Sequence, residues 1–446
     1  MTASSTATTE TTYAKRIGLF SGTLLVVGGI VGSGVFLNPA VVAQRVGTGT
    51  LTMVVWGLGA VIAVLGAFIF AELGARAPAA GGGYAYLRDA FGPLPAFLYG
   101  WALLLAIASG ATAAVAVTFA SYTVPLVGLS AGSERPLAIA AIALFSAINV
   151  LGVAPGAVVQ NVFTLLKLAA IAALIIGGLG DSGNAEAMMN ARVVPALVVP
   201  SGFTAVAVAI GTALVPVLFA YGGWQQTNFV AEEMKDPRRD LPRALIIGVV
   251  IVAAAYLLVN LTYLRTLGVE GLAASRAPAA DAMALRFGDA GRKLIAVGIA
   301  ISTAGFLNVV ILVTPRVYQA MARDGVFFQA LATLHPRTRT PVAAILLQGA
   351  WAVGLVLSGG YGDLLDWVTF ADWIFFGATA ATLLVYRRRP DEGVHFKAPL
   401  HPWSTGFFVL AAAYVVLGAI VSNPMNALRG SLVLVAGIPA FLWWRR

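Results

Sequence analysis

The sequence predicts an all-α membrane protein with 12 transmembrane helices. Of its 446 residues, 59% are hydrophobic and only 11% are charged, whereas soluble domains carry about 25% charged residues. Apolar runs of about 20 residues, the length that crosses the hydrocarbon layer of a bilayer, follow one another along the chain. The two longest runs are interrupted by glycines, which disfavour a continuous helix.

The predicted spans are numbered 1 to 12 in chain order. They cover residues 17–45, 51–74, 95–125, 136–153, 158–180, 203–232, 243–266, 291–320, 342–358, 363–387, 405–422 and 429–444. Residues 1–16 form a polar segment that we interpret as a disordered cytoplasmic tail. It is not a cleaved signal peptide on this interpretation, because the first apolar run is long enough to cross the membrane.

Span 1 contains the stretch Gly28–Phe36, in which four glycines fall within seven residues. Each glycine costs a helix about 1 kcal/mol relative to alanine, and Pro39 suits the first turn of a resumed helix. We therefore expect two half-helices that meet at an unwound segment near the membrane midplane. Such backbone is tolerated only where it is buried in protein or lines a cavity. A binding site is one explanation, and close packing of two helices on the glycines is the other.

Span 6 repeats this feature in the stretch Phe219–Trp224, which contains Gly222 and Gly223. Spans 1 and 6 occupy corresponding positions if spans 1–5 and 6–10 are repeats of each other. Interrupted helices at corresponding positions of two repeats are the best sequence indication of a substrate site at the midplane. The pair of interruptions therefore favours a binding site over simple helix packing.

The distribution of basic residues predicts the orientation. With the N-terminus inside, about 18 of the 28 lysines and arginines fall on the cytoplasmic side, as the positive-inside rule requires. We expect a multi-pass protein of the cytoplasmic membrane with both termini in the cytoplasm. The net charge of +9 then reflects these loops and not a nucleic-acid partner. The richness in Ala, Gly, Val and Arg suggests a bacterial source.

Several function classes lack their usual signals. The sequence has no cysteine, which excludes a disulfide-linked partner chain and any metal site with cysteine ligands. It has no His-Glu-x-x-His pair and no phosphate-binding Gly-Lys-Ser/Thr loop. The three histidines, His335, His395 and His401, lie in predicted inner loops. We therefore expect neither an enzyme nor a cofactor, and no segment is long enough for the soluble domain of a receptor.

Four groups of residues make the chain similar to a known superfamily. It resembles the amino acid–polyamine–organocation transporters and, within them, the L-type amino-acid transporter group. The stretches that carry this likeness are Gly29–Phe36, Ala71–Gly74 with Gly81–Leu87, Phe219–Trp224 leading into Glu232–Ala244, and Asp372–Gly377 with the arginines at 387–389. The resemblance implies a LeuT-like fold: an inverted repeat of residues 17–180 and 203–387, with residues 405–446 forming two peripheral helices.

The resemblance also implies where a substrate would bind. An α-amino acid needs donors for its carboxylate and acceptors for its ammonium, and the free ends of broken helices supply both. The likeness places the carboxylate on the backbone at Ser33 and Gly34, and Phe219 matches the aromatic gate of the family. The carbonyl groups that would receive the ammonium are those of Ile30, Phe219, Ala220 and Gly222.

Lys167 lies about 13 Å into span 5. A lysine inside the membrane is costly and usually functional. In related transporters a lysine at this place accompanies sodium independence, so its ammonium would replace a bound sodium ion and link span 5 to the break in span 1 and to span 8. A proton-coupling role stays open, and the alternative is a lysine that extends its side chain to the inner interface.

Four further polar residues are candidates for the pocket. Asp372 in span 10 stands where many L-type relatives carry asparagine, and its carboxylate could bind a cationic substrate, pair with a base or carry a proton. Gln225 and Asn228 follow the second interruption, and Asn308 lies in span 8. These three could line the pocket or could serve as hydrogen-bonding contacts between helices.

The predicted function is sodium-independent transport of amino acids, with neutral L-amino acids as the expected substrates. The mechanism would be alternating access, either as an exchanger or with proton-coupled uptake. The alternative is a transporter or antiporter of cationic amino acids or polyamines that uses Asp372. We expect the chain to function as a monomer in the lipid bilayer.

Overall fold

The computed structural model describes residues 12–179, 197, 199–359, 361–390, 394–422 and 424–445, without the side chains of 131, 361–370 and 422. Helices make up almost all of these ranges, and within them the only β-type pairing is a single bridge between Ile17 and Met234. Most of the predicted tail and of the segment that joins the two predicted repeats lies outside the described residues.

The described ranges contain sixteen α-helices, numbered in chain order. The first eight are α1 (Leu19–Ile30), α2 (Gly34–Val46), α3 (Gly49–Arg76), α4 (Gly83–Phe91), α5 (Pro93–Ala102), α6 (Ala108–Leu126), α7 (Glu134–Val150) and α8 (Val153–Leu179). The others are α9 (Phe203–Tyr221), α10 (Pro237–Ala274), α11 (Pro278–Val313), α12 (Pro315–Arg323), α13 (Val342–Ser358), α14 (Tyr361–Tyr386), α15 (Trp403–Ser422) and α16 (Pro424–Trp444). Short helices of other types cover Leu103–Ile107 (π) and Ala131–Ser133, Trp224–Glu233 and Gln329–Leu331 (3-10).

The first predicted interruption is present. Helix α1 ends at Ile30, the backbone of Val31 is extended, and α2 begins at Gly34 with its axis bent by 43° from that of α1. The glycines allow the backbone to leave the helix here because they stabilise a helix so poorly. The break therefore exposes one helix C-terminus and one helix N-terminus at the same place.

The second interruption lies at Gly222 and Gly223, between α9 and the 3-10 helix Trp224–Glu233. Gly223 has a φ of 108°, and a Cβ atom at this position would lie 2.0 Å from the carbonyl oxygen of Gly29. A residue with a side chain would therefore be strained here and would also collide with the end of α1. The two interruptions are in direct backbone contact, which requires glycine on both sides.

Two segments outside the predicted spans are also helical. Helical extensions of α10 and α11 occupy most of residues 266–291 and are separated from the spans by glycines with positive φ, Gly268 and Gly288. The segment after span 2 contains α4, which begins at Gly83. Glycine allows the backbone to turn sharply, and a new helix can begin directly after the turn. Hydropathy identifies where the membrane span ends but does not predict this new helix.

The helix lengths fit a multi-pass membrane protein. Among the described residues, eight continuous helical stretches are long and apolar enough to cross a membrane, and the bent pair α1–α2 makes nine. The sequence predicts twelve spans. Part of the difference is length: α7 and α13 have 17 residues each, which is about the shortest length that spans a bilayer.

The broken helices lie in the interior of the bundle. Helix α1 packs against α8, α10 and α11, while α9 packs against α2 and α3. Helices α15 and α16 lie at the periphery, since only 28% and 22% of their most apolar windows are buried, against 72% for the stretch Pro278–Arg323. Their exposed leucines, valines and aromatic residues form an apolar surface suited to lipid.

Candidate functional site

One cavity of about 100 Å³ lies between the two interruptions. This volume is well above the roughly 10–15 Å³ that a single water molecule needs. The backbone segments on both sides of each break border it. The remaining side chains come from the π-helical turn Leu103–Ile107, from α6, α11 and α14, and from Thr314. Its lining residues are Ile30, Gly32, Ser33, Gly34, Leu103, Ile107, Ala108, Ala111, Val115, Leu218, Phe219, Ala220, Gly222, Gly223, Gln225, Gln226, Phe229, Phe306, Val310, Thr314, Asp372, Trp373 and Phe376.

The start of α2 presents hydrogen-bond donors to this cavity. Ser33 is the N-cap residue, and no side chain caps the helix there. The first N–H groups of any α-helix have no acceptor within the helix, and they lie at the positive end of the helix dipole. Ser33 and Gly34 both line the cavity, so the N–H groups at this terminus can receive an anionic group such as a carboxylate.

The end of α9 presents acceptors. Its last carbonyl groups lie at the negative end of a helix dipole, where a cation is favoured. Phe219, Ala220 and Gly222 all line the cavity, although the carbonyl oxygen of Phe219 also accepts a hydrogen bond from the N–H of Gly222 at 3.2 Å. Donors and acceptors therefore face one small space from two different helices.

The carbonyl oxygen of Ile30 already accepts two hydrogen bonds within the protein. It accepts hydrogen bonds from the N–H of Gly32 at 2.9 Å and from the hydroxyl of Tyr256 at 3.3 Å. A carbonyl oxygen has two lone pairs, so an ammonium at this atom would have to replace the tyrosine. The sequence pattern contains nothing that predicts this contact, because Tyr256 lies on the distant helix α10.

Two prolines in the broken helices each leave a carbonyl oxygen without its helical donor, and side chains from other helices supply the missing hydrogen bonds. Pro39 has no N–H group, which leaves the carbonyl oxygen of Val35 without its helical donor. The hydroxyl of Tyr263 supplies a donor to this oxygen at 3.3 Å. Pro216 in α9 likewise frees the carbonyl of Thr212, which accepts a hydrogen bond from the Arg45 guanidinium. These contacts connect α2 with α9 and α10.

Lys167 reaches the first interruption from α8. Its side chain is fully buried, and its Nζ donates hydrogen bonds to the carbonyl oxygens of Gly28 at 3.1 Å and Val31 at 2.7 Å. The hydroxyl of Ser302 on α11 donates to the carbonyl oxygens of Val31 and Gly32, both at 3.1 Å. The side chain thus links α8 to the end of α1 and does not extend to a membrane surface.

A further network of buried hydrogen bonds links α11, α8 and α1. The amide of Asn308 donates to Gln160 at 3.0 Å, Gln160 donates to Thr164 at 3.0 Å, and Thr164 donates to the carbonyl oxygen of Leu24 at 3.1 Å. Asn228 accepts from the hydroxyl of Tyr86 at 3.0 Å. Neither Asn308 nor Asn228 borders the cavity, so the structure places both among the contacts between helices, whereas Gln225 does border it.

Of the side chains that the structure describes, Asp372 is the only ionisable one that borders the cavity. Among the described residues, its carboxylate has no hydrogen-bond or ion-pair partner, and the cavity lining contains no lysine, arginine or histidine. It stands on α14, where Phe376 lies one turn further along the same helix face. Asp372 therefore adds one carboxyl group to a mostly apolar wall, whose other polar side chains in the described residues are Ser33, Gln225, Gln226 and Thr314.

Aromatic side chains form much of this wall. Phe219 borders the cavity and is 40% exposed. The Phe376 ring stacks on Trp224 at 5.8 Å and meets Trp373 edge-on at 5.2 Å. Phe229 and Phe306 also border the cavity, and no local sequence pattern predicts this position for either of them. The π-helical turn Leu103–Ile107 also contributes, and such turns are frequent at functional sites.

Ion pairs close one end of the bundle. The buried guanidinium of Arg316 donates to both carboxylate oxygens of Glu233, at 2.6 and 3.1 Å. Glu232 lies 3.6 Å from Arg323 in a more exposed pair. The rest of the charged run after Glu233, residues 235–243, forms no ion pair within the described part of the chain.

The segment before α1 adds to this closed end. The N–H groups of Arg16 and Ile17 donate to the Glu233 carbonyl oxygen, and the Tyr13 hydroxyl donates to Gln319 at 3.3 Å. Burial raises the pKa of Tyr13, so the hydroxyl stays protonated and able to donate at physiological pH. Opening this end of the bundle would have to break all of these contacts.

Comparisons with known proteins agree on one family. A family profile described as amino acid permease matches residues 17–442. The human b(0,+)-type amino acid transporter 1 is 33% identical over 93% of this chain and 84% of its own length. The serine/threonine exchanger SteT of Bacillus subtilis is 32% identical over 96% of both chains. The mouse Asc-type amino acid transporter 1 is 31% identical over 97% of this chain and 82% of its own.

Proposed function

Because this chain belongs to the amino acid permease family, we propose that it is a secondary transporter that moves neutral L-amino acids across the membrane by alternating access. Membership of the family confirms the resemblance drawn from the four motif groups. The family and the similar proteins are transporters, and the chain is accordingly a multi-pass membrane transporter and not an enzyme. The substrate, the ion dependence and the site residues are the proposed parts.

One observation carries the proposal: a single cavity borders both helix interruptions. Free N–H groups at the start of α2 suit a carboxylate, and carbonyl groups at the end of α9 suit an ammonium. A zwitterion has these two groups on one carbon atom, so one small cavity can bind both. Ser33 and Gly34 would hold the carboxylate, while Phe219, Ala220 and Gly222 would receive the ammonium.

The walls around this backbone site support a neutral side chain. They are mostly aliphatic and aromatic, and the described residues contribute no basic side chain that would attract a second carboxylate. A substrate with an acidic side chain would also meet the Asp372 carboxylate, and like charges repel. Among the similar proteins, one is named as an exchanger of serine and threonine. Exchange of small neutral amino acids is therefore the mode we propose first, with proton-coupled uptake as the alternative mode.

Sodium independence is proposed from Lys167. Its ammonium, together with the hydroxyl of Ser302, occupies the carbonyl oxygens of Gly28, Val31 and Gly32 at the break. Carbonyl and hydroxyl oxygens are the ligands that hard cations prefer. A fixed positive charge at this place makes a mobile sodium ion unnecessary, and it would repel one.

The proposed architecture follows from the same features. The two interrupted helices suggest a LeuT-like arrangement of 12 spans, with inverted repeats over 17–180 and 203–387 and peripheral helices in 405–446. The concentration of basic residues near the closed end supports a cytoplasmic position for this end and for both termini. We propose that the transporter works as a monomer in a bacterial cytoplasmic membrane.

Counterflow in proteoliposomes tests this function directly. Vesicles preloaded with an unlabelled neutral amino acid should accumulate the radiolabelled form, and replacing external sodium with choline should not change the rate. Competition by each of the 20 amino acids then defines the substrate. Absence of counterflow with every amino acid would refute the transport proposal, whereas a steep sodium dependence would refute only the role assigned to Lys167.

A second substrate class has one observation in its favour. The Asp372 carboxylate borders the cavity and could bind a cationic amino acid. Polyamines fit this site less well, because they have no carboxylate to bind the N–H groups at the start of α2.

A further inference from the structure

Gln226 borders the cavity with a side-chain amide that the described residues leave without a partner. It lies on the 3-10 helix Trp224–Glu233, and its backbone N–H donates to the carbonyl oxygen of Gly223 at 3.2 Å. This bond fixes the residue at the second interruption, where the carbonyl groups proposed for the substrate ammonium also lie. Its side-chain Oε1 is buried and accepts no hydrogen bond, and its Nε2 donates none within the described part of the chain.

The neighbouring amides on the same 3-10 helix differ from Gln226. The Oε1 atom of Gln225 accepts a hydrogen bond from the N–H of Gly223 at 3.0 Å. Asn228 accepts from the Tyr86 hydroxyl at 3.0 Å and donates to the carbonyl oxygen of Gln225 at 3.2 Å. Those amides stabilise the turn and the packing of the helices. Buried polar groups are normally paired, so an amide that borders the cavity without a structural partner points to a partner supplied by the ligand.

We propose that Gln226 is a specificity-determining residue, which forms a hydrogen bond with a hydroxyl group on the side chain of the substrate. The transporter would then prefer small amino acids with a hydroxyl group to apolar amino acids of the same shape. This inference rests on the proposed function, because backbone groups at the two interruptions bind the α-amino and α-carboxyl groups in both cases. Only the side chain of the substrate meets Gln226.

The chemistry of the Gln226 amide suits a hydroxyl group. The amide has donors at Nε2 and an acceptor at Oε1, and the terminal torsion of glutamine is broad, so either atom can turn toward the cavity. A hydroxyl group is both a donor and an acceptor, and it can therefore pair with whichever atom it meets. A methyl group in the same place pairs with neither, and it displaces water from the amide without replacing the hydrogen bonds of that water.

The rest of the wall limits the size of the polar group. The cavity has a volume of about 100 Å³, and the aromatic residues Phe219, Phe229 and Phe306 border it together with Gln226. A substrate with an amide or carboxylate side chain would place further polar atoms against these rings, and polar atoms without partners are costly to bury. Serine and threonine add a single polar atom, so they fit this wall better than asparagine, glutamine or the acidic amino acids.

Matched pairs of competitors isolate the contribution of the hydroxyl group. Threonine and valine have the same shape and differ by a hydroxyl in place of a methyl group, as do serine and 2-aminobutyrate. Each is tested as a competitor of labelled neutral substrate in counterflow, for the wild type and for Gln226→Met, which has an apolar side chain of similar length. Gln226→Leu repeats the test with a shorter apolar side chain.

Two further variants serve as references. Gln329→Met makes the same chemical change at an exposed residue outside the cavity, on the 3-10 helix Gln329–Leu331. Thr314→Val removes a hydroxyl group from the cavity wall and keeps the shape of the side chain. The second reference separates recognition by Gln226 from recognition by another polar side chain of the same wall.

In the wild type, threonine should inhibit at least about tenfold more strongly than valine, as expected for one additional hydrogen bond in a site that excludes water. Serine should exceed 2-aminobutyrate in the same direction. In Gln226→Met and Gln226→Leu both ratios should fall below about threefold, because the hydroxyl amino acids lose affinity and the apolar ones do not. Gln329→Met and Thr314→Val should keep the ratios of the wild type.

Two results would overturn the inference. One is a wild-type protein that inhibits equally with threonine and valine. The other is a preference for threonine that survives in both Gln226 variants, or that is lost in Thr314→Val alone. If no amino acid undergoes counterflow, the proposed function fails separately. Calorimetry of threonine and valine with the purified protein then decides the role of Gln226: a preference for threonine that Gln226→Met removes supports it, and equal affinities or no binding refute it.

Discussion

The Nζ atom of Lys167 lies 2.7 Å from the carbonyl oxygen of Val31, at the point where α1 stops and the chain turns toward α2. This contact fixes the half-helix that borders the candidate substrate cavity to α8. Any movement of α1 relative to α8 during transport must lengthen or break it. We therefore propose that the lysine holds the first interruption in position, although its side chain does not border the cavity.

Replacing this lysine should stop transport without preventing folding. In Lys167→Ala the carbonyl oxygens of Gly28 and Val31 lose a charged donor, each such hydrogen bond being worth about 1.5–3 kcal/mol. We expect the counterflow rate to fall at least tenfold, while size-exclusion profiles show a monodisperse protein. Lys293→Ala, at an exposed position of α11, is the matched control and should transport normally. Wild-type rates in Lys167→Ala would discard the role assigned to the lysine.

The start of α2 should tolerate no added bulk. A Cβ atom at Gly34 would lie only 3.0 Å from the Cβ of Ala220, and both residues line the cavity. Gly34→Val should therefore abolish substrate binding measured by calorimetry. Gly57→Val in α3 is the control, since a Cβ there meets nothing within 4 Å. Unchanged affinity in Gly34→Val would argue against a substrate site at this interruption.

The two neighbouring glutamates at the closed end should differ sharply in their contribution to stability. Glu233 pairs with the buried Arg316, and loss of one partner of a buried pair costs about 3–5 kcal/mol. Glu232 pairs with Arg323, which is 42% exposed, and such pairs contribute about 0–1 kcal/mol. Glu233→Gln should therefore lower the melting temperature in detergent by several degrees, and Glu232→Gln should barely change it. Equal shifts in the two variants would contradict the description of this end as closed by Arg316.

The orientation can be tested by cysteine labelling with no background, because the natural chain has no cysteine. Ser130→Cys, in the exposed turn between α6 and α7, should react with a membrane-impermeant maleimide added to intact cells. Thr12→Cys and Arg445→Cys should react only after the cells are permeabilised. Labelling of either terminal cysteine in intact cells would reverse the proposed topology.

The interruptions could be predicted from sequence because their cause is local. Neighbouring glycines weaken a helix. Helix α1 ends at Ile30, directly after Gly28 and Gly29, and α9 ends at Tyr221, directly before Gly222 and Gly223. The direct contact between Gly29 and Gly223 could not be predicted, since it depends on how two distant helices cross. The predicted roles of the site residues remain proposals that the experiments above address.

Other features depend on partners far away in the sequence. The hydroxyl of Tyr256, on α10, donates a hydrogen bond to the carbonyl oxygen of Ile30. The side-chain amide of Asn308 donates to Gln160, and Asn308 does not border the cavity. From the sequence alone, an amide or hydroxyl side chain in an apolar run can equally border a binding site or form a hydrogen bond between helices. The helical extensions beyond Gly268 and Gly288 were missed because they lie outside the apolar spans, where hydropathy carries no helix signal.

The most direct test of the account is an experimental structure with a neutral amino acid bound, on a substrate that the counterflow competition has identified. The account predicts the carboxylate within hydrogen-bonding distance of the backbone N–H groups at Ser33 and Gly34, and the ammonium at the carbonyl groups that end α9. A ligand bound outside the cavity, or bound with its two charged groups exchanged, would contradict the central claim that two broken helices hold the zwitterion.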